Sequence, residues 1–121
     1  MIGGVLYTAD FYGCKVIDSR LVYKIFLAAL KLANATVIDE TSVYYVFDND
    51  AISASALLKE SHTAVHTWPE NGFITFELFT CGETVNVLAA INYLAEKLEC
   101  TDYDTNRHSR FPKDETVQNK L

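Results

Sequence analysis

The sequence is organised around residues 59–70, which read Lys59-Glu60-Ser61-His62-Thr63-Ala64-Val65-His66-Thr67-Trp68-Pro69-Glu70. Within this stretch, residues 63–68 favour a β-strand, and residues 69–72 favour a turn in which Gly72 adopts a positive φ. Residues 73–79 then alternate between a face with Glu77 among aromatic residues and a face that is wholly apolar. The pattern predicts two successive strands joined by a short turn, with one face of the second strand meeting solvent or another subunit.

The residues before this stretch predict further strands and one helix. Alternating apolar residues favour a strand over 4–12, and apolar residues at helical spacing favour a helix over 20–34, capped by Asp18 and Ser19. Residues 35–47 contain two β-branched and aromatic runs around a polar segment that predicts a bulge, a bend or a loop. Residues 52–58 predict another strand.

The residues after this stretch complete a single domain. Apolar spacing predicts a second helix over 85–98, a short last strand over 101–106, and a polar tail that frays from His108 onward. The expected fold class is α+β, a two-layer sandwich of a mainly antiparallel sheet with two helices packed on one face, covering residues 1–121. The other sheet face would need a cover, and a homodimer stacking sheet on sheet would supply it.

Composition narrows the classes of function. The 121 residues carry a net charge of −6, which argues against a nucleic-acid partner because phosphate-binding surfaces need clustered Lys and Arg. No apolar run has the roughly 20 residues needed to cross a bilayer, and no leader pattern is present, so we expect no membrane partner and a cytoplasmic location. The three cysteines lack C-x-x-C spacing, which predicts reduced thiols and no metal site.

Four segments carry a family resemblance. They are Asp10 to Cys14, Glu60 to His62, His66 to Glu70, and Phe79 to Gly82. In this order and at these separations the chain resembles the small prokaryotic S-adenosylmethionine decarboxylases, and the similarity covers nearly the whole chain. Residues 35–47 are longer than in the family's pattern, and Tyr44-Tyr45 replaces more polar residues there.

The resemblance implies a proenzyme that makes its own pyruvoyl cofactor. Ser61 would attack the carbonyl carbon of Glu60, and elimination would leave a β chain of residues 1–60 and an α chain of residues 61–121 with pyruvoyl in place of Ser61. The pyruvoyl group would form the Schiff base with the substrate amine, a task that pyridoxal phosphate performs in other decarboxylases. His66 would transfer protons during processing, and Ser53 would support it.

The resemblance also assigns the substrate and its contacts. Cys81 would be the catalytic proton donor to the decarboxylated carbon, Phe47 would stack on adenine, and Glu70 would bind the ribose hydroxyls. The expected activity is decarboxylation of S-adenosylmethionine to the aminopropyl donor for spermidine synthesis. The family's dimers imply a homodimer of cleaved protomers.

Two other functions stay open from the residues alone. The first is a pyruvoyl-dependent decarboxylase of ornithine or arginine, which would not need Phe47 and Glu70. The second is a non-catalytic paralogue, which would not need Ser61, His66 and Cys81 together. Each of these residues also has an ordinary structural interpretation, as a core aromatic, a solvated turn residue, a strand residue or a buried thiol.

Overall fold

A computed structural model describes residues 3–113 of the chain. Within this range it contains six strands and two helices, in the order β1 (Gly4–Tyr12), α1 (Ser19–Leu32), β2 (Val43–Val46), β3 (Ile52–Leu57), β4 (Ser61–Trp68), β5 (Phe73–Thr80), α2 (Val87–Lys97) and β6 (Asp102–Arg110). A short 3-10 turn over Pro69–Asn71 connects β4 to β5, and Gly72 follows it at φ 59°, as the sequence predicted.

The strands form one antiparallel sheet in the order β2-β3-β4-β5-β1-β6. Strands β2 to β5 follow one another as hairpins, whereas β1 pairs with β5 and carries β6 on its other side. Both helices pack on one face of the sheet, which confirms the predicted α+β sandwich. Strand β4 therefore lies near the centre, between β3 and β5.

Capping residues determine where the helices begin and end. Asp18 accepts a hydrogen bond from the Leu21 N–H at the start of α1, and Asn86 accepts one from the Ala89 N–H at the start of α2. Just beyond α1, Asn34 adopts φ 64°, a left-handed conformation that Asn tolerates better than most residues. The predicted helices over 20–34 and 85–98 are therefore confirmed; α1 begins one residue earlier and ends two residues earlier than predicted, and α2 is shorter at both ends.

The sheet has one apolar, buried face and one mixed, half-exposed face. On β5 the buried set is Ile74, Phe76, Leu78 and Thr80, which point toward the helices. The alternate residues of β5 are half-exposed, with Tyr12 of β1 stacked on Phe73 at 5.5 Å between ring centroids. This second face bears aromatic residues that no element within residues 3–113 covers.

The prediction for residues 35–47 was only partly right. Only Val43–Val46 forms a strand, and the earlier run contributes a single bridge, between Val37 and Leu58. The polar segment between the two runs forms a bend, in which Glu40 adopts φ 69° and the Thr41 hydroxyl donates to the Ile38 carbonyl. The bend interrupts the pairing because its side chains satisfy the backbone locally.

The prediction of a last strand over 101–106 is confirmed, but the predicted fraying from His108 onward was wrong. Strand β6 runs from Asp102 to Arg110, and its pairing with β1 continues to Gly4 and Arg110, so the residues from His108 to Arg110 do not fray. The polar sequence suits an edge strand, and Arg107 and Arg110 lie over the rings of Tyr7 and Phe79. The rest of the predicted tail, residues 114–121, lies outside the described residues.

The two helices are both too short to cross a lipid bilayer, and nothing else helical within residues 3–113 is long and apolar enough to do so.

Candidate active site

The Glu60–Ser61 peptide bond lies in a tight turn between β3 and β4. The Leu58 N–H donates to the Ser61 carbonyl at 2.8 Å, which leaves Lys59 and Glu60 as the two loop residues. The turn is also tied to Thr36, whose N–H donates to Glu60 Oε1 at 3.2 Å and whose carbonyl accepts from the Lys59 N–H at 2.9 Å. These bonds hold the Glu60–Ser61 bond at the end of the sheet.

Cys81 lies beside this bond because of the register between β4 and β5. Ser61 pairs with Thr80, and the next N–H, that of Cys81, donates to the Glu60 carbonyl oxygen at 3.3 Å. Glu60, Ser61 and Cys81 are all partly exposed. The structure thus brings these three residues together, and we call them the cleavage cluster.

The Ser61 hydroxyl makes one hydrogen bond, and it is a long one. Its Oγ lies 3.3 Å from Nδ1 of the adjacent, exposed His62. The His62 ring in turn packs against Phe79, with 5.7 Å between ring centroids. A 3.3 Å contact is at the weak end of the range for a hydroxyl, so Ser61 keeps rotational freedom.

His66 and Ser53 form a second cluster on the face of the sheet away from the helices. They pair directly across β3 and β4, and His66 Nδ1 lies 2.9 Å from Ser53 Oγ. Both side chains line a cleft of about 250 Å³, whose other walls come from Phe47, Asn49, Ala51, Thr67 and Trp68. We call Phe47, Ser53 and His66 the histidine cluster.

Glu70 lies at the edge of this cleft through a contact with Asn49. The Asn49 Nδ2 donates to Glu70 Oε2 at 3.1 Å, and the Asn49 Oδ1 accepts from the Ala51 N–H at 3.1 Å. Phe47 is 47% exposed, and its ring lies edge-on to Tyr45 at 4.8 Å between centroids. An exposed aromatic ring and a fixed carboxylate at one cleft suit a ligand with a flat base and hydroxyl groups.

Sequence reasoning missed the contribution of Asn49 and Trp68 to this cleft. Neither residue was among the site residues expected from the sequence, and Trp68 is 41% exposed in the structure. The Trp68 ring lies 6.3 Å from that of His66 and 5.3 Å from that of Phe73, measured between centroids. The side-by-side placement follows from β4 alternation, which puts residues 66 and 68 on one face.

The two clusters do not meet within one chain. His66 follows Ser61 by five residues on the same extended strand, which corresponds to about 16 Å along β4. Alternation also places residue 61 with the buried residues Thr63 and Val65, whereas residue 66 belongs to the opposite face. His66 therefore cannot reach the Glu60–Ser61 bond of its own chain in this structure.

The two cysteines outside the cleavage cluster, Cys14 and Cys100, both have raised pKa values. Burial, with a smaller contribution from Cys100, raises the pKa of Cys14 to about 12, and burial also raises the pKa of Cys100.

A cavity of about 610 Å³ lies beside Cys81. It is lined by Thr80 and Gly82, the two neighbours of Cys81, and by Arg107. Within residues 3–113, no three His, Cys, Asp or Glu side chains are grouped as metal ligands would be.

Known proteins are similar to this chain in sequence and in fold. The family model described as S-adenosylmethionine decarboxylase matches residues 6–111. An S-adenosylmethionine decarboxylase proenzyme of Thermoplasma volcanium is 37% identical over 110 residues, covering 86% of this chain and 81% of its own. A proenzyme of the same name from Acetivibrio thermocellus is 34% identical over 113 residues, covering 91% of this chain and 90% of its own. The crystal structure of the adenosylmethionine decarboxylase from Aquifex aeolicus is similar with a TM-score of 0.78 and 31% identity, covering 94% and 95% of the two chains.

Proposed function

Because the chain belongs to the S-adenosylmethionine decarboxylase family, we propose that it decarboxylates S-adenosylmethionine to the aminopropyl donor used in spermidine synthesis. The observation that carries this proposal is the match of the family model over residues 6–111, which include the cleavage cluster and the histidine cluster. The two relatives are S-adenosylmethionine decarboxylase proenzymes, which supports both the decarboxylation and a precursor chain. The surroundings of Glu60, Ser61 and Cys81 fit that activity.

The first step of the proposal is cleavage of the chain between Glu60 and Ser61 into residues 1–60 and 61–121. Ser61 Oγ attacks the Glu60 carbonyl carbon, the peptide C–N bond breaks, and the hydroxyl proton passes to the amine nitrogen. Support comes from the Cys81 N–H, which donates to the Glu60 carbonyl oxygen and would stabilise the negative charge that develops there. The result is an ester between Glu60 and the Ser61 side chain.

The second step removes Glu60. A base takes the Ser61 α-proton, the bond between Cβ and Oγ breaks, and Glu60 leaves as a carboxylate. The residue left at position 61 then rearranges, takes up water and loses ammonia, which yields a pyruvoyl group. His66 is the proposed base, and Ser53 orients its ring through the 2.9 Å contact between Ser53 Oγ and Nδ1.

The pyruvoyl group, once present at position 61, supplies an electron-accepting ketone for the carbon that loses carbon dioxide. A residue of the chain itself must then deliver a proton to the carbon that has lost carbon dioxide. Cys81 lies next to position 61 through the register of β4 and β5, and its thiol is partly exposed, so we assign it as the donor to that carbon. In this role the Cys81 thiol transfers its proton to the carbon that has lost carbon dioxide.

Two chains complete each site in this proposal. His66 lies about 16 Å from Ser61 along β4, so a second copy must bring its histidine cluster to the cleavage cluster of the first. The aromatic residues on the half-exposed sheet face, among them Tyr12, Trp68 and Phe73, support a homodimer that stacks sheet on sheet. A twofold axis would then form two equivalent sites.

The substrate contacts follow from the cleft of the histidine cluster. Phe47 offers an exposed ring to the adenine, and the Glu70 carboxylate, fixed by Asn49, accepts from the ribose hydroxyls. The positive sulfonium of S-adenosylmethionine suits the nearby aromatic faces of Tyr45 and Trp68. Ornithine and arginine have neither adenine nor ribose, so they would leave these contacts unused.

The experiment that tests the proposed function measures release of labelled carbon dioxide. Purified protein is supplied in parallel with carboxyl-labelled S-adenosylmethionine, ornithine and arginine. We expect release from S-adenosylmethionine alone, and loss of that release after treatment with a carbonyl reagent such as phenylhydrazine. Release from a free amino acid but none from S-adenosylmethionine would contradict the proposal, as would no release from any of the three.

A further inference from the structure

Thr80 carries a buried hydroxyl without a hydrogen-bond partner. The residue is 5% exposed, and its Oγ1 is the one buried side-chain oxygen or nitrogen within residues 3–113 that lacks a partner. An unpaired buried hydroxyl is unfavourable, since burial removes its bonds to water and nothing replaces them. Valine has nearly the same shape and would fill this position without burying an unpaired hydroxyl. A role other than folding stability would therefore explain the threonine.

Thr80 is the cross-strand partner of Ser61. The two residues are directly paired in β4 and β5, and paired residues project toward the same sheet face, with Cβ atoms about 4.5–5.5 Å apart. At that separation, rotation about χ1 brings the two hydroxyl oxygens within hydrogen-bond distance. The Ser61 hydroxyl is available for this, because its present contact with His62 is 3.3 Å long.

We propose that Thr80 is a positioning residue for cleavage of the chain. Its hydroxyl holds Ser61 Oγ in place for attack on the Glu60 carbonyl carbon. The inference rests on the proposed function, because it deepens the first step of that function. Thr80 Oγ1 accepts the hydrogen bond of the Ser61 hydroxyl and directs an oxygen lone pair toward the carbonyl carbon. Thr80 itself gains and loses no covalent bond.

Thr80 and Cys81 would then hold the two reacting groups together. The Cys81 N–H donates to the oxygen of the Glu60 carbonyl, and the preceding side chain faces the attacking hydroxyl. The step needs both, because the carbonyl must be polarised and the nucleophile must approach its carbon. One dipeptide at the end of β5 supplies both contacts.

The test compares three variants of the full-length precursor, Thr80→Val, Thr80→Ser and Thr63→Val. Thr63→Val is the matched control, since Thr63 is a buried threonine on the same face of β4 whose hydroxyl donates to the Glu77 carbonyl at 2.8 Å. Each precursor is made by cell-free synthesis, and the rate constant of chain cleavage is followed by denaturing mass spectrometry. Thermal unfolding is measured on variants that also carry Ser61→Ala, so that every sample is uncleaved.

We expect Thr80→Val to slow cleavage about three- to tenfold, which is the effect of one neutral hydrogen bond, and Thr80→Ser to restore most of the rate. Thr80→Val should leave the unfolding temperature unchanged or higher, because it removes an unpaired hydroxyl. Thr63→Val should lower the unfolding temperature and leave the cleavage rate unchanged. The uncleaved Thr80→Val precursor should not be split faster by hydroxylamine, since the delay precedes the ester.

Several results would overturn this inference while the proposed function stands. Cleavage of Thr80→Val at the wild-type rate would do so, as would equal slowing by Thr63→Val, failure of Thr80→Ser to restore the rate, or accumulation of a hydroxylamine-sensitive ester. Wild-type protein that stays a single chain under the same conditions would instead overturn the proposed function, and this inference with it.

Discussion

The backbone N–H of Cys81 donates a hydrogen bond of 3.3 Å to the carbonyl oxygen of Glu60. This bond joins the end of β5 to the turn that precedes β4, and it polarises the carbonyl that the Ser61 hydroxyl would attack. The Cys81 thiol plays no part in it. The proposed function therefore assigns Cys81 a backbone role in processing and a separate side-chain role in turnover, and the two can be tested separately.

Chain cleavage is the first prediction. Wild-type protein should resolve into residues 1–60 and 61–121 in denaturing mass spectrometry, and Ser61→Ala should stay a single chain because it lacks the attacking oxygen. His66→Ala should stall as an ester that hydroxylamine splits. Edman degradation should fail on the second fragment, since a ketone replaces its amine. A Ser61→Ala protein that still cleaves at this bond would contradict the mechanism.

Cys81→Ser separates the two roles of this residue. The variant keeps the N–H that contacts Glu60, so we expect cleavage at a rate near that of the wild type. Its hydroxyl is a far weaker acid than a thiol, so kcat for decarboxylation should fall about a hundredfold. Fragment masses measure the first effect and labelled carbon dioxide the second. Normal turnover in the cleaved variant would remove Cys81 from its role as proton donor.

The predicted strands and helices follow from side-chain periodicity, which the structure confirms where one face is buried. Alternation over residues 73–79 became β5, because its apolar set packs under the helices. Strand β6 has no such pattern, since all nine of its residues are exposed and its conformation depends on pairing with β1. The sequence therefore predicted only a short strand over 101–106, and the extension to Arg110 depends on a contact between strands far apart in the chain.

The sequence motifs name candidate site residues, but they do not predict how those residues are arranged in space. Ser61 and His66 lie in one short sequence motif, and a separation of only five residues suggests that their side chains are close in space. On an extended strand those five residues span about 16 Å, so the two residues are far apart in the structure although they are close in sequence. The unpaired state of the Thr80 hydroxyl also depends on the surrounding packing, which no motif records.

Asp50 should make stability depend on pH. Ser19 donates to it through its hydroxyl at 2.6 Å and through its N–H at 3.1 Å, and these bonds, the side-chain bond first, lower the pKa of the carboxyl. A lowered folded-state pKa gives stability that is fully present above the unfolded-state pKa and is lost as pH falls through the folded-state pKa. Asp50→Asn should therefore lower the unfolding temperature at pH 7, and the difference from wild type should shrink in acid.

Asp48→Asn is the control for that experiment, because it makes the same charge change in the same turn without the bonds to Ser19. Thermal unfolding is followed by circular dichroism between pH 7 and pH 2, with all proteins also carrying Ser61→Ala. Asn tolerates the positive φ of 67° at position 50, so backbone strain does not enter the comparison. A constant difference at every pH would show that the Asp50 carboxylate contributes nothing through its charge.

Substrate recognition should be separable from processing at Phe47 and Glu70. Phe47→Ala removes the exposed ring, and stacking of a base on an aromatic ring is worth about 1–3 kcal/mol, so KM for S-adenosylmethionine should rise roughly tenfold or more. Glu70→Gln keeps the size but loses the charge, and it should raise KM less. Both variants should still cleave. An unchanged KM in Phe47→Ala would place the adenine elsewhere.

The sharpest test concerns the origin of the histidine that acts on each Glu60–Ser61 bond. If His66 of one chain acts on the Glu60–Ser61 bond of its partner, a Ser61→Ala chain can supply the His66 that a His66→Ala chain lacks. The His66→Ala chain still has its own Ser61. Coexpression of the two, distinguished by tags of different mass, should restore cleavage of those His66→Ala chains that pair with a Ser61→Ala chain, although each variant alone fails. With equal amounts and random pairing, roughly half of the His66→Ala chains should be rescued.

The control replaces the Ser61→Ala chain with a Ser61→Ala/His66→Ala chain, which has no His66 to supply and should rescue no cleavage. Absence of rescue in verified mixed dimers would mean that each chain uses its own His66, which would require β4 to bend or open in the precursor.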